Sequence, residues 1–153
     1  MANFEISVDR DLPVSFYFQV EFENETAVPF KEVSGLSVEL ETETIQEGGV
    51  NEHDYKLPKQ IKHANLVLKR ALLPLSNSLE TWICNCLGND FSQSIVTKNI
   101  SVKLLDEKGE PLRGWVCSGA YPVKWDIESF EAEKKAVVIE SVEFTYLEQK
   151  RTK

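Results

Sequence analysis

Two histidines, three cysteines and two runs of carboxylates are the side chains of this 153-residue sequence whose types could do chemistry. His53 is followed directly by Asp54, and a carboxylate beside an imidazole is half of a general-base pair. A hydrolase also requires a positioned nucleophile and an oxyanion hole, yet no G-x-S-x-G or comparable elbow occurs. His53 and His63, both in one polar stretch, are therefore read as exposed or interface residues, and no catalytic residue is assigned. Cys84 and Cys86 fall in a helical pattern, where positions two apart point about 200° away from each other. They cannot close on one tetrahedral ion, and Cys117 alone does not supply a second pair. No metal site follows; the thiols are expected to be reduced, with Cys86 a small core residue. There is no phosphate loop, G-x-G-x-x-G or calcium loop, and Gly48-Gly49 lacks a strand-to-helix context, so no cofactor is expected.

The carboxylates are more orderly. Glu39, Glu41 and Glu43 alternate, which places them on one side of a strand. Such a stripe is either a solvated sheet face or, if the chain repeats around an axis, a lining that repels anionic cargo. Asp126, Glu128, Glu131 and Glu133 form a second cluster, offset locally by Lys134 and Lys135.

The elements that must carry these residues are mostly strands. Residues 14–22 alternate, with Val14, Phe16, Phe18, Val20 and Phe22 on one face. A turn over 24–27 leads to a stripe of Leu36, Val38 and Leu40, read as buried. Gly48-Gly49 marks a turn or bulge where positive φ costs little. A polar arm over about 46–63 contains Pro58, which argues against a central strand. Alternation resumes with Leu66, Leu68 and Leu72. One helix is expected over about 77–88, capped by Asn77 with Glu80 in the capping-box position, and stopped by Gly88. Its apolar stripe is Leu79, Trp82, Ile83, Cys86 and Leu87. A strand with Ile100, Val102 and Leu104 inward precedes the turn 106–109, where Gly109 takes the left-handed position. The return strand places Trp115, Cys117, Gly119, Tyr121, Val123 and Trp125 on one side, with an edge or bulge at Pro122. A charged connection over 129–135 leads to a last strand over 136–147, and the terminal EQKRTK is expected to fray. The fold class is therefore mainly β with one helix: an antiparallel sandwich or barrel flanked by a short helix, in one domain over 1–153.

Composition agrees: 42% hydrophobic and 27% charged suits a globular chain. A net charge of −8 disfavours binding nucleic acid through its phosphates. No apolar run approaches the roughly 20 residues of a membrane helix, and the first residues do not form a signal peptide.

One ordered series of residues goes further. Phe30-x-x-Val33-Ser34-Gly35-Leu36 precedes Glu47-Gly48-Gly49-Val50-Asn51; Lys56-Leu57-Pro58 and Leu66-Val67-Leu68-Lys69-Arg70 follow. Then come Leu79-x-x-Trp82 and Val138-Ile139-Glu140-Ser141-Val142-Glu143. Over residues 14–147 this series resembles the tail tube proteins of contractile-tailed phages and of phage-tail-like contractile injection systems. Lys59 and Ala71 depart from the pattern, each standing where a glycine is common, and a glycine-leucine ending is lacking.

The resemblance implies a structural, non-enzymatic subunit. Six copies would form a ring, and rings would stack into a hollow inner tube. The inter-subunit arm would use Glu47, Gly48, Gly49, Val50, Asn51, Tyr55, Lys56, Leu57, Pro58 and Lys59, with Glu39, Glu41 and Glu43 as candidate lumen lining. Implied partners are other copies of the chain, a sheath protein, baseplate or hub and tube-terminating proteins, and a DNA or protein-effector cargo. There would be no specific nucleic-acid binding and no membrane insertion by the monomer. Assembly would take place in a bacterial cytoplasm, yielding part of a virion tail or of a released or anchored injection particle. A competing reading is a small β-barrel that binds an apolar ligand. It accounts for the aromatic residues but leaves the polar arm without a purpose.

Overall fold

The computed structural model describes residues 17–46, 48–49, 54–71, 76–88, 94–127 and 139–153. Strands β1 (Tyr17–Phe22), β2 (Val28–Phe30), β3 (Glu32–Ser34), β4 (Val38–Ile45), β5 (Tyr55–His63) and β6 (Leu66–Ala71) precede helix α1 (Asn77–Leu87). After it come β7 (Lys98–Leu105), β8 (Pro111–Ile127), β9 (Ile139–Thr145) and β10 (Glu148–Arg151). An 8-stranded antiparallel sheet runs in the order β2-β1-β7-β8-β9-β6-β3, with β10 added to β8. Only Lys31 separates β2 from β3, and its amide donates to the Lys69 carbonyl at 2.9 Å. The two ends of the strand order are thus one continuous piece of chain, which turns the sheet back on itself as a barrel and leaves few open edges.

β8 is the spine. Its first half lies between β7 and β10, and its second half pairs with β9. The expected single alternating face does not survive along it: Gly114, Cys117, Ala120 and Pro122 are the buried positions, and Val123 is exposed. Gly119 at φ 67 bends the strand, and the register shifts between Pro122 and Lys124, each of which rotates the side chains that follow. The bulge expected from Pro122 is therefore present. The expected fraying of the last residues is not: β10 pairs Glu148 with Ser118 and Arg151 with Trp115, and the Thr152 amide donates to Gly114 O at 2.8 Å.

Val20, Phe22, Leu66, Leu68, Ile100 and Val102 fill the barrel as their alternation requires. Helix α1 covers them with Leu79, Trp82 and Ile83, each burial contributing about 2 kcal/mol. The Trp82 ring packs edge-on to Phe22 at 6.2 Å and stacks on Phe144 at 6.0 Å, and its indole N–H donates to Val96 O at 2.8 Å. Ser76, rather than Asn77, is the N-cap: its hydroxyl accepts from the Leu79 amide, which moves Glu80 out of the capping-box position. The same hydroxyl donates to Glu25 Oε2 at 3.0 Å. The Ser78 hydroxyl, chiefly, holds the Glu25 carboxyl below its ordinary range, with help from Ser76 and Lys98 and against some desolvation. The turn after β1 thereby fastens the helix start to the barrel.

On the same face of β9 as Val142 and Phe144, Glu140 is buried opposite Arg70, its cross-strand neighbour on β6. Glu140 Oε2 and the Trp125 indole N–H make no hydrogen bond. Burial pushes the Glu140 carboxyl above the usual carboxylate range, and the nearby Trp125 indole and Arg70 guanidinium offset only part of this.

Two outcomes are expected. Ser76→Ala costs about 1 kcal/mol in urea unfolding, because it removes the cap. Glu140→Gln reads out in the pH dependence of stability. The folded carboxyl titrates above the unfolded one, so its contribution is present at low pH and is lost as pH rises through the folded value. Wild type therefore loses stability relative to Glu140→Gln as pH rises from about 4.5 towards 7; parallel urea curves for the two proteins across that range would contradict the assignment.

Candidate functional site

Among the described residues β4 and β5 pair only with each other, as a two-stranded sheet separate from the barrel. The sequence VELETETI builds β4 from valine, leucine and threonine alternating with glutamate, and YKLPKQIKH builds β5. The polar arm is thus in large part a strand that folds back on the preceding one, with Gly48 and Gly49 in the connection and Gly49 at φ 106. Pro58 is accommodated where the register slips between Leu40 and Thr42, on a strand that has only one partner.

Register fixes two faces. Val38, Leu40 and Thr42 share one with His63, Ile61 and Pro58, their direct partners. Glu39, Glu41, Glu43 and Ile45 share the other with Lys62, Leu57 and Tyr55. Neither face is covered. The expected burial of Val38 and Leu40 does not occur: they are 56% and 53% exposed, and Ile61 is 66% exposed. The alternation correctly marked a strand but could not tell a covered face from an exposed one. On the second face Lys62 Nζ lies 3.1 Å from Glu41 Oε2 and Lys59 Nζ lies 3.9 Å from Glu43 Oε2. Both pairs are solvated, so each contributes at most about 1 kcal/mol.

The ribbon meets the barrel at a tight joint. Gly35 has φ 88, and a Cβ placed on it would lie 1.8 Å from the Asn65 carbonyl oxygen, so the two legs cross backbone to backbone. Asn65 Nδ2 donates to Glu143 Oε1 at 2.9 Å. The His63 ring stacks on Tyr146 at 4.0 Å with 10° between the planes, and its nitrogens face Ala64 O at 3.4 Å and Leu147 O at 3.3 Å. The Tyr146 hydroxyl donates to Gln149 Oε1 at 2.9 Å, with Gly35 O a more distant acceptor at 3.5 Å. Burial raises the Tyr146 phenol to about 12. His63 is thus a packing residue of the joint.

The structure brings most of the sequence-derived site together. Tyr55, Lys56, Leu57, Pro58 and Lys59 lie on β5, and Glu39, Glu41 and Glu43 lie on one face of β4. Glu47, Val50, Asn51 and His53 lie outside the described residues. Sequence reasoning missed Ile61 and Lys62 on the ribbon and Tyr146 at its base. For the first two, lysines recurring along the arm opposite three glutamates were the available signal. Cys84 is exposed, Cys86 half-buried and Cys117 buried, with the Cys117 thiol pushed up to about 11 by desolvation. Among the described residues no group of three His, Cys, Asp or Glu side chains is placed to hold a metal ion. Nor, among them, is any helix long and apolar enough to cross a membrane.

Comparison with known proteins places these features. Residues 14–150 match the family model for the T4-like virus tail tube protein gp19. No curated protein matches the sequence. A chain in the cryo-EM structure of the anti-feeding prophage baseplate, 6-fold symmetrised, superposes with a TM-score of 0.74 at 29% identity, covering 89% of this chain and 91% of that one. A chain of an extracellular contractile injection system, the PVC sheath-tube complex in its extended state, gives 0.74 at 24% identity over 99% of this chain and 98% of that one. Hcp1 from Flavobacterium johnsoniae gives 0.58 at 16% identity, over 89% and 94% of the respective chains. The latter two share the fold.

Gly35→Ala is expected to cost about 2–4 kcal/mol, combining a left-handed backbone with a clash against Asn65 O. Gly49→Ala, at positive φ but with open space around it, is expected to cost about 1 kcal/mol. Urea unfolding of the two variants checks the order, and equal costs would contradict the crossing described at Asn65.

Proposed function

The chain belongs to the T4-like virus tail tube protein gp19 family, and from that premise we propose that six copies close into a ring and that rings stack into a hollow inner tube. Its role is that of a structural subunit in a contractile phage tail or a phage-tail-like injection particle. One observation carries the ring: the β4–β5 ribbon exposes apolar residues on both faces and, among the described residues, leaves both outer edges unpaired. A two-stranded ribbon is marginal in water on its own, so an element this long gains its stability by pairing and burial against neighbours. Head-to-tail contacts between identical subunits close as rings or continue as fibres, and a tube requires the first kind within each layer.

In this arrangement the whole chain, 1–153, acts as one tube domain. The connection carrying Glu47, Gly48, Gly49, Val50 and Asn51 reaches a neighbouring subunit, and the face with Glu39, Glu41 and Glu43 lines the lumen. Lys59 and Lys62 temper that face without reversing it. Anionic cargo, DNA or an acidic protein effector, would then pass along a wall that does not bind it. The subunit performs no chemistry of its own. Its partners are further copies, a sheath, a baseplate and a tube-terminating protein; the baseplate and sheath-tube contexts of two similar structures support this. Assembly takes place in the bacterial cytoplasm, before the particle acts.

Negative-stain microscopy of concentrated protein is expected to show rings and short stacks, with six-fold averages. Deleting 47–59 is expected to abolish stacking. Protein that stays monodisperse at the mass of one chain, even when seeded with baseplate, would overturn the proposal.

A further inference from the structure

His63 is the last residue of the ribbon, and its ring is set between two acceptors. Nδ1 lies 3.4 Å from Ala64 O and Nε2 lies 3.3 Å from Leu147 O. A neutral imidazole has one N–H and one lone pair, so it serves one of these carbonyls and turns a lone pair on the other. An imidazolium donates to both. We propose that the joint is a proton-operated clamp: a proton gained by His63 completes both hydrogen bonds and fixes the ribbon on the barrel, and its loss releases one of them. The clamp acts within one chain and stands whether or not copies assemble.

The two carbonyls are not equivalent. Ala64 O is the next residue's and travels with the ribbon, whereas Leu147 O is 84 residues away on the turn between β9 and β10. The Leu147 amide donates to Ser118 O at 2.9 Å, which ties that turn to β8. A neutral ring is free to choose the local carbonyl; a charged ring must hold the one on the barrel as well. The stack adds to this. The imidazole lies 4.0 Å from the Tyr146 ring at 10°, and a cation over a phenol face gains an attraction that a neutral ring lacks. Tyr146 is 4% exposed, so the platform does not move with the ribbon. The charges on the surrounding elements are engaged elsewhere. Register puts Lys62 and Glu39 on the ribbon face opposite His63, and Lys62 Nζ lies 3.1 Å from Glu41 Oε2. On β9, Glu143 Oε1 accepts from Asn65 Nδ2 at 2.9 Å; on β10, Glu148 lies 3.6 Å from Lys150 Nζ. The Tyr146 phenol, raised to about 12, and the Cys117 thiol, raised to about 11, stay neutral where an imidazole titrates. Among the described residues His63 makes no ion pair, so the pH response rests on the two carbonyls and the stack.

Hydrogen exchange read by mass spectrometry, corrected for the intrinsic pH dependence of amide exchange, tests the clamp on peptides from β4 and β5 between about pH 8 and pH 5.5. Light scattering confirms that the particle mass is the same at both ends of the range. Wild-type ribbon peptides are expected to gain at least about threefold protection as pH falls, the effect of one added hydrogen bond of ordinary net strength. Peptides from β7 in the barrel serve as the reference and are expected to change less. His63→Phe keeps an aromatic ring on Tyr146 but has no donor, and is expected to show no such gain; a residue that only fills space would lower protection equally at every pH. His53→Asn, which removes the other histidine, is expected to keep the wild-type response. Nitrogen-15 spectra of the His63 ring in wild type decide the matter without any variant: at low pH both ring N–H protons are expected to exchange slowly, as hydrogen-bonded protons do. Ribbon protection that is flat with pH in wild type, a His63→Phe profile that rises as wild type does, or ring protons that exchange freely with water in the charged state overturns the clamp.

Discussion

An unpaired strand edge must find a partner, and this constraint organises the molecule. The barrel satisfies most of its own edges by turning β2 into β3 around Lys31, so that the first and last strands of the sheet are one piece of chain. The ribbon does the reverse. It leaves the barrel with both edges open and with valine, leucine and isoleucine in water. The same backbone chemistry that seals one part of the chain leaves the other part with donors and acceptors open to solvent.

Such a device works only if the ribbon is held in a fixed direction. The joint supplies this through contacts that tolerate little movement. A glycine allows two backbones to cross at Gly35 and Asn65, and His63 lies flat on Tyr146 while its nitrogens face two carbonyls. Tyr146 is 4% exposed and belongs to the core. The orientation of an almost wholly exposed element is therefore set by a residue inside the barrel, which couples core packing to the direction in which the ribbon projects.

Much of the fold was legible because alternation and helical periodicity report burial directly. The helix and its stripe of Leu79, Trp82 and Ile83, the turn at Gly109, the bulge at Pro122, the strand faces of β1 and β6 and that of β7 as far as Val102 all follow from spacing, whereas a register shift after Leu104 buries Leu105 in its place. Other features did not. Ser76 displaced Asn77 as cap because Glu25, distant in sequence, sits within reach of the serine hydroxyl. The β8 face was misjudged because Gly119 and the register shift rotate it, and a two-residue period carries no information about bends. Val38 and Leu40 read as core because alternation reports a strand with an apolar face and does not say whether the same chain covers that face. The candidate site was visible as a segment and as residue types, while its two faces and its base at Tyr146 required the register.

β8 belongs to both halves of the barrel through one uninterrupted run, Pro111–Ile127, with partners on each side of its bend. A load applied along the barrel is then carried as shear distributed over many ladder hydrogen bonds, since neither half can be peeled off while its shared strand is held by the other.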